Sequence, residues 1–273
     1  VSKWMHVGTV LKMNALNYPD KLGCQDKFKS FTFKEWNERS CRLANALRAK
    51  GVKYGDRVAI LAYNRVEWLD IYAGCAKGGQ VAVPIMFRLT PENFEFIVNH
   101  AECKAFIVEK PFVEGVNSVR KNLSIPQDNF IYLGDDEAPE GYVHYEAFLL
   151  KGEPVEPDVT VDTADPWTIM YTSGTTGTPK GVVRSHESYL AQYLLSNINM
   201  GVRPTDKPLL VMPTCHVNSI FYSFPYTCVT APVMIYNMVS FDPEDLLKTF
   251  AEYKITFTSL VPTHYAMLLS LPA

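Results

Sequence analysis

The chain has 273 residues, 47% of them hydrophobic and 20% charged, and a net charge of −3. That length can bury one large core or about two domains, and the slight acidic excess argues against a nucleic-acid binder, which carries a basic surplus. No apolar run reaches the ~20 residues of a membrane-spanning helix. The opening Val1-Ser2-Lys3-Trp4-Met5-His6 lacks the basic-then-apolar pattern of a secretory signal and, with no initiator Met, reads as trimmed.

Along the chain, helical and extended runs alternate. Thr32 and Glu35 form a T-x-x-E capping box; Trp36, Ser40, Leu43, Ala44 and Leu47 then recur at helical spacing, and Gly51 is placed to end the helix. Residues 57–63 are a continuous apolar run of strand length, which suits a strand covered on both faces. A helix over 65–77 leads through Gly78-Gly79 to a short strand, Val81 to Pro84. Thr90-Pro91-Glu92 starts another helix, with Pro at the first helical position. Strands are expected at 104–108 and 129–133, and the Pro- and acid-rich stretch 151–166 reads as a connector. Beyond it we expect strands near 167–171, 208–212, 232–236 and 255–260, separated by helices near 186–200, 243–253 and 262–269.

Strands spaced by such helices predict an α/β fold with mainly parallel sheets flanked by helices. We expect a first α/β region over 1–160 and a second over 161–273 that opens with a phosphate-binding loop. Ligands in such sheets sit at the carboxyl ends of strands. The six cysteines, at 24, 41, 75, 103, 215 and 228, include no C-x-x-C pair. They fit neither a zinc site nor a disulfide scaffold, and point to a reducing compartment, the cytoplasm.

The most informative stretch runs from Tyr171 to Gly181: Tyr-Thr-Ser-Gly-Thr-Thr-Gly-Thr-Pro-Lys-Gly. It leaves the end of an apolar run, Trp167 to Met170. Its glycines let backbone N–H groups approach an anion. The hydroxyls of Thr172, Ser173, Thr175, Thr176 and Thr178 can donate to phosphate oxygens, and Lys180 adds a full positive charge. At ~4 Å and an effective dielectric near 20, one charge pair is worth about 4 kcal/mol before desolvation. Pro179 before the lysine and Gly181 after it break the G-x-x-x-x-G-K-[ST] pattern, so P-loop kinases and GTPases are disfavoured. A Gly/Ser/Thr surface loop of no function is the competing reading, but such a loop has no reason to combine these residues with Pro-Lys-Gly after a buried strand.

This segment closely resembles the signature loop of the adenylate-forming superfamily, which includes acyl- and aryl-CoA ligases, luciferase and the adenylation domains of peptide synthetases. The resemblance extends from about Ser30 to Pro272 through Phe31 to Trp36, Ala73 to Pro84, Val211 to His216 and Thr258 to Pro262. It implies two half-reactions. A carboxylate attacks the α-phosphate of ATP to give an acyl-adenylate and pyrophosphate, and the thiol of coenzyme A then displaces AMP. By resemblance, Thr172, Ser173, Gly174, Thr175, Thr176, Gly177 and Lys180 hold the ATP phosphates, with Mg²⁺ reached through those phosphates by Thr175 and Thr176. Lys180 and His216 are the implied catalytic pair. His216, Asn218 and Ser219 are the implied substrate pocket; a histidine merely packed and hydrogen-bonded at a strand end is the competing reading of His216. Phe221, Tyr222 and Phe224 read as core.

Peptide-synthetase domains place an Asp near the position of His216 to pair with the α-amine of an amino acid. Residues 211–220 contain no acid, so an acyl or aryl acid is preferred. The family's later Thr-Glu segment, ribose-binding Asp, hinge and C-terminal domain do not follow. The resemblance therefore implies an N-terminal fragment, inactive alone, of an acyl-CoA ligase whose partners are a small carboxylic acid, ATP and CoA; a homodimer is compatible with it. A non-catalytic nucleotide-binding module, a peptide-synthetase adenylation domain and a luciferase-like enzyme remain as alternatives.

Overall fold

The computed structural model describes residues 5–172 and 179–271. The first helix, α1 (Val7–Asn17), precedes a short antiparallel pair, β1 (Leu22–Gln25) and β2 (Ser30–Thr32). α2 (Phe33–Ala49) starts at the expected capping box: Thr32 Oγ1 accepts from the Glu35 amide, and the Glu35 carboxylate takes the Thr32 amide. Gly51, at φ +80°, then turns the chain away in a left-handed conformation that a side chain would oppose. The alternation continues through β3 (Arg57–Leu61), α3 (Glu67–Gly78), β4 (Val81–Pro84), α4 (Pro91–His100), β5 (Cys103–Glu109), α5 (Val113–Val119), β6 (Phe130–Leu133), β7 (Val143–His144) and α6 (Tyr145–Leu149). After the connector come β8 (Pro166–Thr172), β9 (Lys180–Ser185), α7 (His186–Met200), β10 (Pro208–Leu210), α8 (Val217–Cys228), β11 (Val233–Ile235), α9 (Pro243–Tyr253), β12 (Phe257–Thr258) and α10 (Pro262–Leu269).

The strands form two sheets. One has the order β7-β6-β5-β3-β4-β8-β9, the other β12-β10-β11-β1-β2. Among the described residues, the β1–β2 and β8–β9 pairs are antiparallel and the remaining ladders parallel. The fold is therefore the mainly parallel α/β arrangement the sequence implied. Both sheets draw on chain from either side of residue 160: β8 and β9 extend the sheet built by β3–β7, and β1 pairs with β11. A division at 160 thus separates stretches of chain, not sheets.

Side-chain alternation along each strand sorts the core into layers. Val58, Ile60, Ile107 and Ile131 from the larger sheet, and Leu210, Val233 and Ile235 from the smaller one, face a middle layer made by α1, α2, α3, α7 and α8. Their neighbours Ala59, Leu61, Phe106, Val108 and Phe130 face α4 and α5 on the opposite side. Leu209, Val211 and Met234 face α9. Burial on both faces explains why these strands read as continuous apolar runs.

Every residue of α3 is buried, including three charged ones. Each has a partner. Arg39 Nε donates to Asp70 at 2.7 Å, Lys77 Nζ to Glu156 at 2.8 Å, and Glu67 accepts from Lys29 at 2.7 Å and Arg65 at 2.8 Å. Burial works against the charge on Glu67, but the Arg65 and Lys29 bonds outweigh it and hold the carboxyl down at about 2. Removing one partner of such a pair costs about 3–5 kcal/mol, because the other charge is stranded. The six cysteines are all free and five are buried. No helix among the described residues is long and apolar enough to cross a membrane.

One buried histidine has no such partner. His186, the first residue of α7, is fully buried, and neither ring nitrogen makes a hydrogen bond. It stacks on Trp167 (5.7 Å between centroids) and meets the edge of His6, the N-cap of α1, at 5.4 Å. Burial, with His6 adding, holds His186 down at about 3; burial and then Lys77 hold His6 at about 4. Because both folded values lie below the unfolded one near 6.5, the stability from the neutral rings is complete above pH 6.5 and is lost as pH falls toward the folded values. His186 alone then costs about 2 kcal/mol between pH 7 and pH 5. Urea unfolding at the two pH values should show His186→Phe losing less stability than the parent by about that amount; equal losses would refute the assignment.

Candidate active site

The carboxyl ends of β4 and β8 in the larger sheet and of β10 in the smaller one open on a common cavity of about 180 Å³. Pro84, Met86 and Leu89 come from the chain leaving β4, Ile97 from α4, Met170, Tyr171 and Thr172 from β8, and Val182 and Arg184 from β9. Cys215, His216 and Val217 close it from the turn between β10 and α8. The wall is mostly apolar, with Thr172, Tyr171, Arg184 and His216 as its polar points. Burial pushes the Cys215 thiol up to about 12, so this sulfur stays protonated and is no nucleophile.

β8 and β9 are an antiparallel hairpin in which Thr172 faces Lys180 and Tyr171 faces Gly181. Both expected ligand residues thus sit on regular strands, held opposite each other by the ladder at the mouth of the loop. Ser173, Gly174, Thr175, Thr176 and Gly177, the remaining expected phosphate-binding residues, lie outside the described residues. Gly181 has a packing reason for being glycine. An added Cβ would come within 2.8 Å of Ile169 Cγ2 and 3.2 Å of the Tyr171 ring. That ring lies across the hairpin with its hydroxyl 2.6 Å from His100 Nδ1. Arg184 is fixed alongside by Ser188 (3.1 Å to Oγ) and by stacking on Tyr189.

His216 is the exposed N-cap of α8, and its Nδ1 accepts from the Asn218 amide at 3.3 Å. In the neutral ring this places the proton on Nε2, which leaves a donor for an anionic group. The other two expected pocket residues do not line the cavity. Asn218 donates to Ser259 Oγ at 2.9 Å, near the end of β12. Ser219 is buried and donates to the Met212 carbonyl at 2.6 Å. Successive residues on a helix point about 100° apart, so His216 and Val217 reach the cavity while Asn218 and Ser219 turn away from it. The apolar wall, Met86, Leu89, Ile97, Met170 and Val182, carried no sequence signal beyond hydrophobicity. Among the described residues, no group of three or more His, Cys, Asp or Glu could hold a metal ion.

A cavity at the carboxyl ends of strands in a mainly parallel sheet is where α/β domains take their ligands. The family can be stated more closely: the chain belongs to the AMP-binding enzymes, whose family model matches residues 11–273. It is 35% identical over 239 residues to a long-chain-fatty-acid–CoA ligase of Thermus thermophilus, covering 87% of this chain and 43% of that protein. It is 32% identical over 231 residues to a long-chain-fatty-acid–CoA ligase of Mycobacterium tuberculosis, covering 85% and 44%. Among solved structures, the anthranilate CoA ligase AuaEII in complex with anthranoyl-AMP superposes with a TM-score of 0.91 at 24% identity, over 99% of this chain and 52% of that one. The chain therefore spans about half the length of these relatives.

The Gly181 contact gives a direct test of the hairpin. Gly181→Val should destabilise the fold by about 1–3 kcal/mol through overpacking against Ile169 and Tyr171, measured by urea unfolding. An unchanged midpoint would show that β9 does not approach β8 as described.

Proposed function

We propose that the protein containing this chain activates an apolar carboxylic acid with ATP and passes the acyl group to the thiol of coenzyme A. The observation that carries this reading is that Thr172, where the hydroxyl-rich segment leaves β8, and His216, on a helix N-cap with Nε2 free to donate, line one apolar cavity. A phosphate group and a carboxylate can then be held side by side, which is what attack of a carboxylate on the α-phosphate of ATP needs. The first half-reaction forms an acyl-adenylate and releases pyrophosphate; the second forms a thioester and releases AMP.

In this reading catalysis is positioning and charge stabilisation, since the protein forms no bond to the substrate. Thr172 and Lys180, with the loop between them, hold the pyrophosphate end. Lys180 offsets the charge that develops as pyrophosphate leaves. The His216 Nε2 proton binds the acid's carboxylate, and the positive end of α8 adds to it. Mg²⁺ bound to the ATP phosphates would offset part of their charge, and Thr175 and Thr176 would reach it through those phosphates. The apolar wall of Met86, Leu89, Ile97, Met170 and Val182 suits a fatty or aryl acid and offers no carboxylate to an α-amine. The fatty-acid–CoA ligase relatives support the same substrate class.

The test is acid-dependent exchange of radiolabelled pyrophosphate into ATP, run over a panel of fatty, aryl and short acids and an amino-acid set. Exchange is expected with at least one apolar acid and with no amino acid. Silence across the panel would defeat the reading. Lys180→Ala should slow exchange by about 10²–10³-fold if it stabilises the leaving charge as a single preorganised donor does; an unchanged rate would remove Lys180 from the site.

A further inference from the structure

Between β3 and α3, the side chain of Asn64 is buried and makes four hydrogen bonds to a single turn nearly 150 residues away. Oδ1 accepts from the Thr214 amide at 2.7 Å and from Thr214 Oγ1 at 2.6 Å. Nδ2 donates to the carbonyls of Val211 at 3.2 Å and Met212 at 3.1 Å. Both protons and both lone pairs of the carboxamide are used, so it serves as a surrogate peptide group for a turn with no strand beside it. The turn it holds, Val211 to His216, ends at the cavity wall.

We propose that Asn64 is a positioning residue for the acid-binding end of the site, acting through Thr214 on His216. This rests on the acid-activating function proposed above. Two further bonds make the turn rigid: Tyr72 OH donates to the Thr214 carbonyl at 2.9 Å, and Ser219 Oγ to that of Met212 at 2.6 Å. Asn64 is itself anchored. Its carbonyl accepts from Asn237 Nδ2 at 3.2 Å, and the same amide donates to Asp26 at 3.0 Å. Asp26 in turn accepts the Val66 amide at 3.0 Å. The chain leaving β3 in one sheet, β10 in the other and the ends of β1 and β11 are thereby tied at one rim, and the cap of α8 projects from that knot.

The chemistry admits few substitutes. Asp in place of Asn keeps the acceptors but cannot donate to two carbonyls, and places a charge in a buried site. Gln is one methylene too long for all four bonds. Ala removes all four bonds and leaves the Thr214 amide and hydroxyl and the Val211 carbonyl without this partner, while the Met212 carbonyl keeps Ser219. Thr214 is released in each case, and His216, two residues on, loses its fixed relation to the cavity.

The experiment measures pyrophosphate exchange by the enzyme containing this chain, with separate KM values for acid and ATP, beside a thermal melt. Asn64→Ala should raise the acid KM by about 10-fold or more while the ATP KM moves less than about 3-fold, a split that loss of stability alone would not give. Thr214→Val, which removes one of the four bonds at nearly constant volume, should show the same split at a few-fold. Combining the two should add little to Asn64→Ala, since both act on one contact. A lowered melting point with both KM values unchanged, or with both raised alike, would overturn the proposal. Should Asn64→Ala fail to fold, Thr214→Val decides: an unchanged acid KM overturns it. A parent enzyme showing no acid-dependent exchange would instead defeat the functional reading, a distinct outcome.

Discussion

The structure depends on burying α3 whole between two sheets. A helix in that position has no solvent-facing side, so each polar group on it must find a protein partner or impose a desolvation penalty of several kcal/mol. The solution draws on four separate stretches of chain: Arg39 comes from α2, Lys29 from the turn after β1, Arg65 from the chain before α3, and Glu156 from the connector. The connector is therefore an integral part of the core layer, although its composition is that of a surface loop. Its Glu156 neutralises the buried Lys77, and the same ammonium donates to the Gly8 carbonyl in α1.

Because the middle layer is fixed in this way, the two sheets present their carboxyl ends along one rim, and the cavity forms where those ends meet. The larger sheet contributes the loop hairpin and much of the apolar wall; the smaller one contributes the turn that carries His216. Neither sheet alone contains a site. The acid-sensitive contact of His6 with His186 sits in the same layer, below the hairpin, where Trp167 of β8 packs against both α3 and α7.

Much of the architecture was legible in the sequence where short-range chemistry decides it. α7, α9 and α10 run between the residues expected, because Ser185, Asp242-Pro243 and Val261-Pro262 are strong helix starts. Strands buried on both faces showed as apolar runs: the run at 57–63 overshoots β3, whereas those at 104–108 and 167–171 fall a residue or so short of β5 and β8 at each end. β9 was missed because it is an edge strand with most of its residues exposed, and Lys180-Gly181 reads as the tail of a loop. α8 is absent from the expected helices, and Pro225, ordinarily a helix breaker, stands inside it. The site was legible only through its motif. Thr172 and His216 came from recognised segments, whereas Asn64 is a single polar residue in a short loop whose partners lie in another sheet, a relation that no local pattern encodes. Asn218 and Ser219 were pocket residues only as the resemblance implies them. The helix that begins after His216 turns them toward Ser259 and Met212.

The knot of Asn64, Asn237 and Asp26 joins the sheets at the rim only; elsewhere their separation is set by the side chains packed between them. The gap between Thr172 and His216 is consequently a gauge of the thickness of the helical layer. A change of volume deep in that layer, at Trp68 or Tyr72 for instance, would tilt one sheet about the knot as about a pivot. It would reach the ligand as a change in how much length or breadth the cavity accepts. The dimensions of the cavity can then be set by residues that do not line it.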